Sequence, residues 1–310
     1  MPELLYDTYA RGKLLITGEY VVLDGATALA VPVKYGQSLR VMTGSEPGRL
    51  RWRALDEQGS CWLQACFDLA NFDLRQTNDP AAATGLQKLL AAARKQNPDF
   101  LPATTGIEVE TRTDFPRAWG LGTSSTLVAA VAKWADTDPY RLLAESFGGS
   151  GYDIACAYSE GPILYRRRSA GVPMVQPVDF KPLFADQLYF VYLGQKQDSR
   201  EGIRRYRTLS GATQNLVDTV SALTQQALSA AILSEFEQVI EQHEQQIAAA
   251  LQLPRAKALN FKDYWGSVKS LGAWGGDFVL VTSSRTPDET RCYFNDLGFE
   301  VFMPWNEMVL

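Results

Sequence analysis

Residues 118–126 read "AWGLGTSST" and run directly into "LVAAVAKW", which is apolar at helical spacing. Just upstream, "GIEVETRTDF" alternates in character and predicts a strand. Strand, Gly-x-Gly turn and helix in direct succession call for a layered packing of helices on a sheet. At the turn no side chain screens the backbone. Successive N–H groups and the positive end of the helix dipole can then converge on one point, which suits an anion. The hydroxyls of Thr123, Ser124 and Ser125 can add donors to a phosphate or ligate Mg²⁺. The same residues also describe a plain glycine turn with a serine N-cap, so two readings stand on this stretch alone. No lysine follows to make a P-loop. The third glycine and distal acid of a dinucleotide fingerprint are missing as well.

The rest of the chain alternates strand and helix signals. "GKLLITGEYVVL", "ALAVPVKYGQSLRVMT", "SCWLQACFDL", "GPILYRRR", "QLYFVYLG", "FVLVTSS" and "FEVFMPW" predict strands. "PAAATGLQKLLAAARKQN" predicts a helix with Pro near its start and Asn-Pro at its end. A short helix is expected around "DPYRLLAESF", and a long helical stretch from about Gly211 to Leu251. "VPMVQPVDFKP" reads as a proline-spaced linker. The expected class is α+β in two lobes, residues 1–175 and 176–310, because 310 residues suffice for two cores.

A net charge of −5 argues against nucleic acid as the main partner. No apolar run is long enough for a membrane span, and "MPELLYDTYARGK" is unlike a secretory signal. Cys61, Cys66, Cys156 and Cys292 form no Cys-x-x-Cys pair, which suits reduced, mostly buried thiols in a cytoplasmic protein. His243 is the sole histidine, so a zinc site or a Ser-His-Asp hydrolase is not expected. Its Gln- and Glu-rich surroundings place it on a solvated helix face.

Three further stretches change the balance. "ARGKLLITGEYVVLDG" at 10–25, "GGSGYDIACA" at 148–157 and "LGAWGGDFVLV" at 271–281 stand in order around "GLGTSST". Together they resemble the motifs of the GHMP kinase superfamily: Pro-Gly-Lys-x-x-x-x-Gly-Glu-His/Tyr, Gly-Leu-Gly-Ser-Ser-Ala, Ser-Gly-x-Asp and Gly-Ala-Gly-Gly-Gly. The character is that of the mevalonate and phosphomevalonate kinase branch, and "GYDIA" is similar to the string that names a bacterial group of these kinases.

The resemblance implies a ribosomal-protein-S5-like N-terminal lobe with the phosphate loop, a ferredoxin-like C-terminal lobe with a glycine-rich loop, and ATP and Mg²⁺ as cofactors. Gly120, Leu121, Gly122, Thr123, Ser124 and Ser125 would cradle the nucleotide, with Gly272, Gly275 and Gly276 closing over it. Ser124 and Glu145 would ligate the metal, although Glu145 also reads as a solvated helix carboxylate. Asp153 would be the general base or orient the acceptor hydroxyl, with a helix N-cap as its structural alternative. Lys13 would sit beside it to steady the carboxylate or polarise the hydroxyl. Glu19 would support the site. Apart from the resemblance, the cations Arg11, Lys196 and Arg200, with Arg204 and Arg205, read either as a cluster that draws an anionic small-molecule acceptor or as a solvated basic helix face. A homodimer is compatible with this reading.

Arg11 stands where the superfamily has proline, and Trp274 where it has glycine. Trp274 would narrow the loop's approach to the nucleotide or stack on a ligand. The segment between "GLGTSST" and "GGSGYD" is short. Three functions follow: a kinase for a mevalonate-type acceptor, a kinase for a sugar or amino alcohol such as homoserine, or a nucleotide-binding protein without catalysis.

Overall fold

The structure is a computed structural model and describes residues 2–168, 171–195, 199–208 and 214–310. Two compact units divide the chain: Met1–Gly12, Tyr35–Arg117 and Leu121–Tyr158 form one, and Lys13–Lys34, Ala118–Gly120 and Ser159–Leu310 the other. The units are discontinuous in sequence, unlike lobes cut once at 175/176. Strands β1 (Leu4–Thr17) and β2 (Ala28–Gly44) are long enough to contribute to both.

In the first unit, β3 (Arg49–Leu55), β4 (Cys61–Asp68), β5 (Leu74–Thr77) and β6 (Gly106–Thr113) join β2 in the order β5-β4-β3-β6-β2. In β3, "RLRWRAL", Leu50, Trp52 and Ala54 are buried while Arg51 and Arg53 are exposed, the alternation of a half-buried strand. Helices α1 (Pro80–Gln96), α2 (Thr123–Ala135), α3 (Pro139–Ser146) and α4 (Tyr152–Ala157) share an apolar core with that sheet. Leu86, Leu89 and Leu90 of α1 are buried in it, each contributing roughly 1.5–3 kcal/mol.

The second unit contains β7 (Ile163–Arg166), paired with Ala28–Ala30 of β2, and β8 (Met174–Pro177), paired with β7. The expected linker "VPMVQPVDFKP" therefore contains an edge strand, a place where proline is tolerated. Next come β9 (Leu188–Tyr192), α5 (Ser199–Thr208), α6 (Gln214–Ser229), α7 (Leu233–Leu251) and α8 (Ala256–Asn260). β10 (Val268–Ser270), β11 (Phe278–Thr282), α9 (Pro287–Asp296), β12 (Phe302–Pro304) and α10 (Trp305–Met308) complete the chain. The sheet order β10-β11-β9-β12, antiparallel throughout, is a split βαβ arrangement of ferredoxin type.

The stretch expected as one helix from Gly211 to Leu251 is two helices, and residues 211–213 lie outside the described residues. "GKLLITGEYVVL" is also divided. Its strand ends at Thr17, and Val21–Asp24 form a 3₁₀ turn. Of the cysteines only Cys156 is buried; Cys61 and Cys66 are half-buried, Cys292 is exposed, and none of the four is in a disulfide.

His243 is not solvated. It is wholly buried on α7, and its Nε2 accepts the Gly18 N–H at 2.9 Å. Phe236, Val239, Ile240, Ile247 and Leu251 are buried on the same helix, so the apolar stripe carries His243 inward despite the polar residues around it. Beside it, Lys269 Nζ contacts Glu19 Oε1 at 2.5 Å and Glu244 Oε1 at 3.5 Å, all at most 1% exposed. Burial holds His243 well below its usual range, with Lys269 adding to this, and keeps it neutral. Burial also pushes Glu244 up to about 7, opposed by Lys269 and reinforced by Glu19.

Between the unfolded value near 4.5 and the folded value near 7, the native state holds the Glu244 proton more tightly than the unfolded chain. That contribution is full below the lower value and is lost as pH rises through the upper one. Glu244→Gln removes this dependence. Urea unfolding of the variant relative to the natural protein should therefore shift in the variant's favour between pH 5 and pH 8, by up to about 3 kcal/mol. A difference independent of pH would contradict the burial of this carboxylate.

Candidate active site

The chain caps several helices with side chains. Asp79 accepts from Ala82 N ahead of α1, Asp138 accepts from Tyr140 N and Arg141 N ahead of α3, and Thr286 forms a capping box with Glu289 ahead of α9. The helices starting at the two sequence motifs are, like α7, α8 and α10, without such a cap, and they begin at a positive-φ glycine. α2 begins at Gly122 with φ 97° and α4 at Gly151 with φ 91°, neither with a side-chain cap. A helix leaves its first N–H groups without intrahelical partners. Here neither a serine nor an aspartate takes them, so the simple capped-turn readings of "GLGTSST" and of Asp153 do not describe the geometry.

In the first unit Ser125 is buried and its hydroxyl donates to Asp153 Oδ2. The other oxygen, Asp153 Oδ1, is buried and has no hydrogen-bond partner among the described residues. A buried carboxylate oxygen left open is costly and invites an explanation. Tyr140, which sequence reasoning did not single out, lies in this neighbourhood. Burial first, then Asp138, Cys156 and Asp153, push its hydroxyl up to about 12, so it keeps its proton. No spacing rule marked it in the sequence. Gly122 and Thr123 are half-buried and Ser124 is exposed at the head of α2, while Leu121 is buried.

Glu145 is engaged elsewhere. Its Oε1 lies 3.2 Å from Arg141 Nε and 3.6 Å from Lys95 Nζ, and the Arg141 hydrogen bond is the main cause holding it below the usual carboxylate range. Among the described residues no group of three acidic, histidine or cysteine side chains could cage a metal ion. Magnesium in phosphate chemistry commonly takes one or two protein oxygens and completes its shell with water and phosphate. The exposed Ser124 hydroxyl fits that demand; Glu145 would have to release two cations. Arg11 lies 5.8 Å from the Tyr9 ring.

In the second unit, Lys13 is buried and its Nζ donates to Gly120 O at 3.0 Å. Gly120 has φ 67°, and a Cβ there would collide with the Asp277 carboxylate. Only glycine fits on both counts. Gly272 (φ 68°) and Gly275 (φ 85°) lie in the loop before β11, where Gly276 N donates to Ala273 O at 3.2 Å. Trp274 is buried, its indole Nε1 donates to Pro254 O at 2.9 Å, and it packs in an apolar cluster with Tyr20, Tyr206 and Leu251. Glu19 is buried against Lys269. Lys196 lies outside the described residues, as does the Arg200 side chain. Of the neighbouring arginines, Arg205 donates to the carbonyls of Leu251 and Gln252 at the end of α7, Arg207 pairs with Asp24 at 2.5 Å, and Arg204 is exposed.

No protein-family model matches the chain, and no curated protein matches it. Solved structures do. The phosphomevalonate kinase of Streptococcus pneumoniae, in complex with phosphomevalonate and AMPPNP, superposes with TM-score 0.71 at 15% identity, covering 96% of this chain and 99% of that one. The mevalonate kinase of Methanococcus jannaschii gives 0.69 at 14% identity over 94% and 95%. The D-glycero-D-manno-heptose 1-phosphate kinase of Bacteroides thetaiotaomicron gives 0.64 at 15% over 98% and 95%. The fold is that of the GHMP kinases, as the four motifs imply.

Gly120→Ala should destabilise the protein by about 1–3 kcal/mol, the cost of a non-glycine residue held in a disfavoured backbone region next to a fixed carboxylate. Thermal unfolding measures it. A shift equal to that of an alanine placed at Gly148, where a Cβ meets nothing within 4 Å, would show that Asp277 does not fill the Gly120 position.

Proposed function

We propose that the protein is an ATP-dependent small-molecule kinase that transfers the γ-phosphate to a hydroxyl or phosphate group of a mevalonate-type acceptor. The observation that carries this reading is the Asp153 carboxylate. One oxygen is held by Ser125 and the other is buried and open, at the start of a helix that no side chain caps. Such a group can orient an acceptor hydroxyl and take its proton during transfer. The uncapped start of α2 supplies backbone donors for the nucleotide phosphates. Lys13, bonded to Gly120 O, adds positive charge to the same loop, and Gly272, Gly275 and Gly276 would close on the nucleotide.

Phosphoryl transfer asks for positioning and charge neutralisation more than for covalent chemistry. Ser124 would hold magnesium, which when bound neutralises charge on the phosphates. Tyr140, protonated and near Asp153, would donate to the acceptor. Mevalonate carries a carboxylate, and phosphomevalonate and a heptose 1-phosphate carry phosphates, so an anionic acceptor suits the three similar kinases named above. This leaves the sugar phosphates as a second acceptor class, supported by the heptose 1-phosphate kinase likeness.

Asp153→Asn keeps shape and hydrogen bonding but removes the charge. Turnover should fall by roughly 10²–10⁴, while calorimetric ATP affinity stays close to that of the natural protein. Near-normal turnover would sink the role of Asp153. In an ADP-release panel of mevalonate, phosphomevalonate, homoserine, galactose and glycerol derivatives, turnover is expected on an anionic member of the mevalonate class. Turnover confined to neutral sugars would overturn that acceptor, and ATP binding without any turnover would favour a non-catalytic protein.

A further inference from the structure

Three successive residues after β1 grip three different elements of the second unit. Gly18 N donates to His243 on α7, Glu19 binds Lys269 on β10, and the Tyr20 hydroxyl accepts the backbone N–H of Trp274 at 2.9 Å. Tyr20 has φ 60° and ψ −44°, a positive-φ conformation outside the left-handed helical well that a bulky aromatic residue rarely adopts. Its surroundings fix it there. A Cβ on Gly202 of α5 would collide with the Tyr20 ring and hydroxyl, and the Tyr206 ring lies 5.9 Å away.

The loop Leu271–Asp277 is tied from within as well. Leu271 N donates to Phe278 O at 3.1 Å, Gly276 N to Ala273 O at 3.2 Å and Asp277 N to Gln195 O at 2.8 Å. With Trp274 N on Tyr20, four of its N–H groups are committed inside the protein. Those of Gly272, Ala273 and Gly275 have no partner among the described residues. The indole of Trp274, bonded to Pro254 O and buried, is the counterweight that holds Trp274 N against Tyr20.

We infer that the Tyr20 hydroxyl is a positioning group that sets the glycine loop before any ligand arrives, leaving only the donors of Gly272, Ala273 and Gly275 for nucleotide phosphate. This rests on the kinase reading above. A glycine-rich loop is otherwise free to sample many conformations, and ordering it on binding weakens affinity. Here Trp274, the residue that departs from the glycine pattern, supplies the order in advance. Tyr20 touches no reacting atom, so its effect falls on nucleotide binding and not on the chemical step.

Tyr20→Phe removes the hydroxyl and keeps the ring. Amide hydrogen exchange of the 271–277 segment should accelerate roughly tenfold, with β9 and β11 unchanged. KM for ATP should rise roughly tenfold with kcat within about twofold. Phe294→Leu, in a separate apolar cluster of the same unit, serves as the control: it should lower stability and leave that KM alone. Unchanged loop exchange in Tyr20→Phe, unchanged KM, or an equal KM rise in Phe294→Leu would each overturn the inference. If the natural protein binds no ATP at all, the kinase reading falls and this inference with it. That outcome is distinct from a natural protein that binds ATP and a Tyr20→Phe variant that binds it equally well.

Discussion

The second unit is organised around one buried ion pair, Lys269 with Glu19. Both side chains are essentially inaccessible to water, and Lys269 also donates to Ser270 O at 2.7 Å. Removing two charges from water is costly, and a pair of this kind stabilises a fold little more than a good apolar contact would. What it does provide is directional constraint. Glu19 can be satisfied only if β10 arrives with Lys269 in register, and Lys269 meets Glu244 only if α7 presents the correct face. Neutral His243 then accepts the Gly18 N–H, which an imidazolium could not do. Burial and Lys269 keep it neutral, so the arrangement is self-consistent.

A second constraint is the way helices begin. The chain caps α1, α3 and α9 with the side chains of Asp79, Asp138 and Thr286, and leaves α7, α8 and α10 without a side-chain cap. At α2 and α4 it uses a left-handed glycine and leaves the first turn bare. A side-chain cap contributes about 1 kcal/mol, and α2 and α4, at the two motifs the sequence marks out, go without it. The same contrast explains Ser125. A serine near a helix start would ordinarily serve the backbone, and here it serves Asp153 instead.

Much of this was legible in the sequence. The strand, glycine turn and helix around "GLGTSST" are where the spacing predicted, and the order of four motifs implied the fold found by superposition. What the sequence hid has physical reasons. β3 was overlooked because its three arginines drowned a clear alternation of Leu50, Trp52 and Ala54. His243 was misplaced because local polarity was weighed above the stripe of Phe236, Val239, Ile240 and Ile247 that carries it inward. Glu145 and the arginines of α5 looked available as charges. Arg141, one helical turn before Glu145, is a partner that local i,i+4 spacing does disclose, whereas Lys95, Asp24 and the end of α7 lie far away in sequence, where no local pattern discloses the pairing. Trp274 looked like an intrusion into a ligand loop, and its partners Tyr20 and Pro254 show it to be an anchor.

Backbone strain separates the two kinds of special residue. Asp136 and Gln252 adopt left-handed conformations at the ends of α2 and α7, where helix termination accounts for them. Phe72 and Leu101 lie beside Arg94: its guanidinium is stacked 3.9 Å from the Phe72 ring and donates to Leu101 O. Tyr20 and Asp277 are not helix ends of that sort. One fixes the glycine loop through Trp274, and the other closes that loop and occupies the space beside Gly120. Disfavoured conformations persist only where the surroundings over-determine them. In the second unit those surroundings are the loop and turn that the motifs had already singled out, so the two disfavoured residues and the motif order fall on the same stretch of structure.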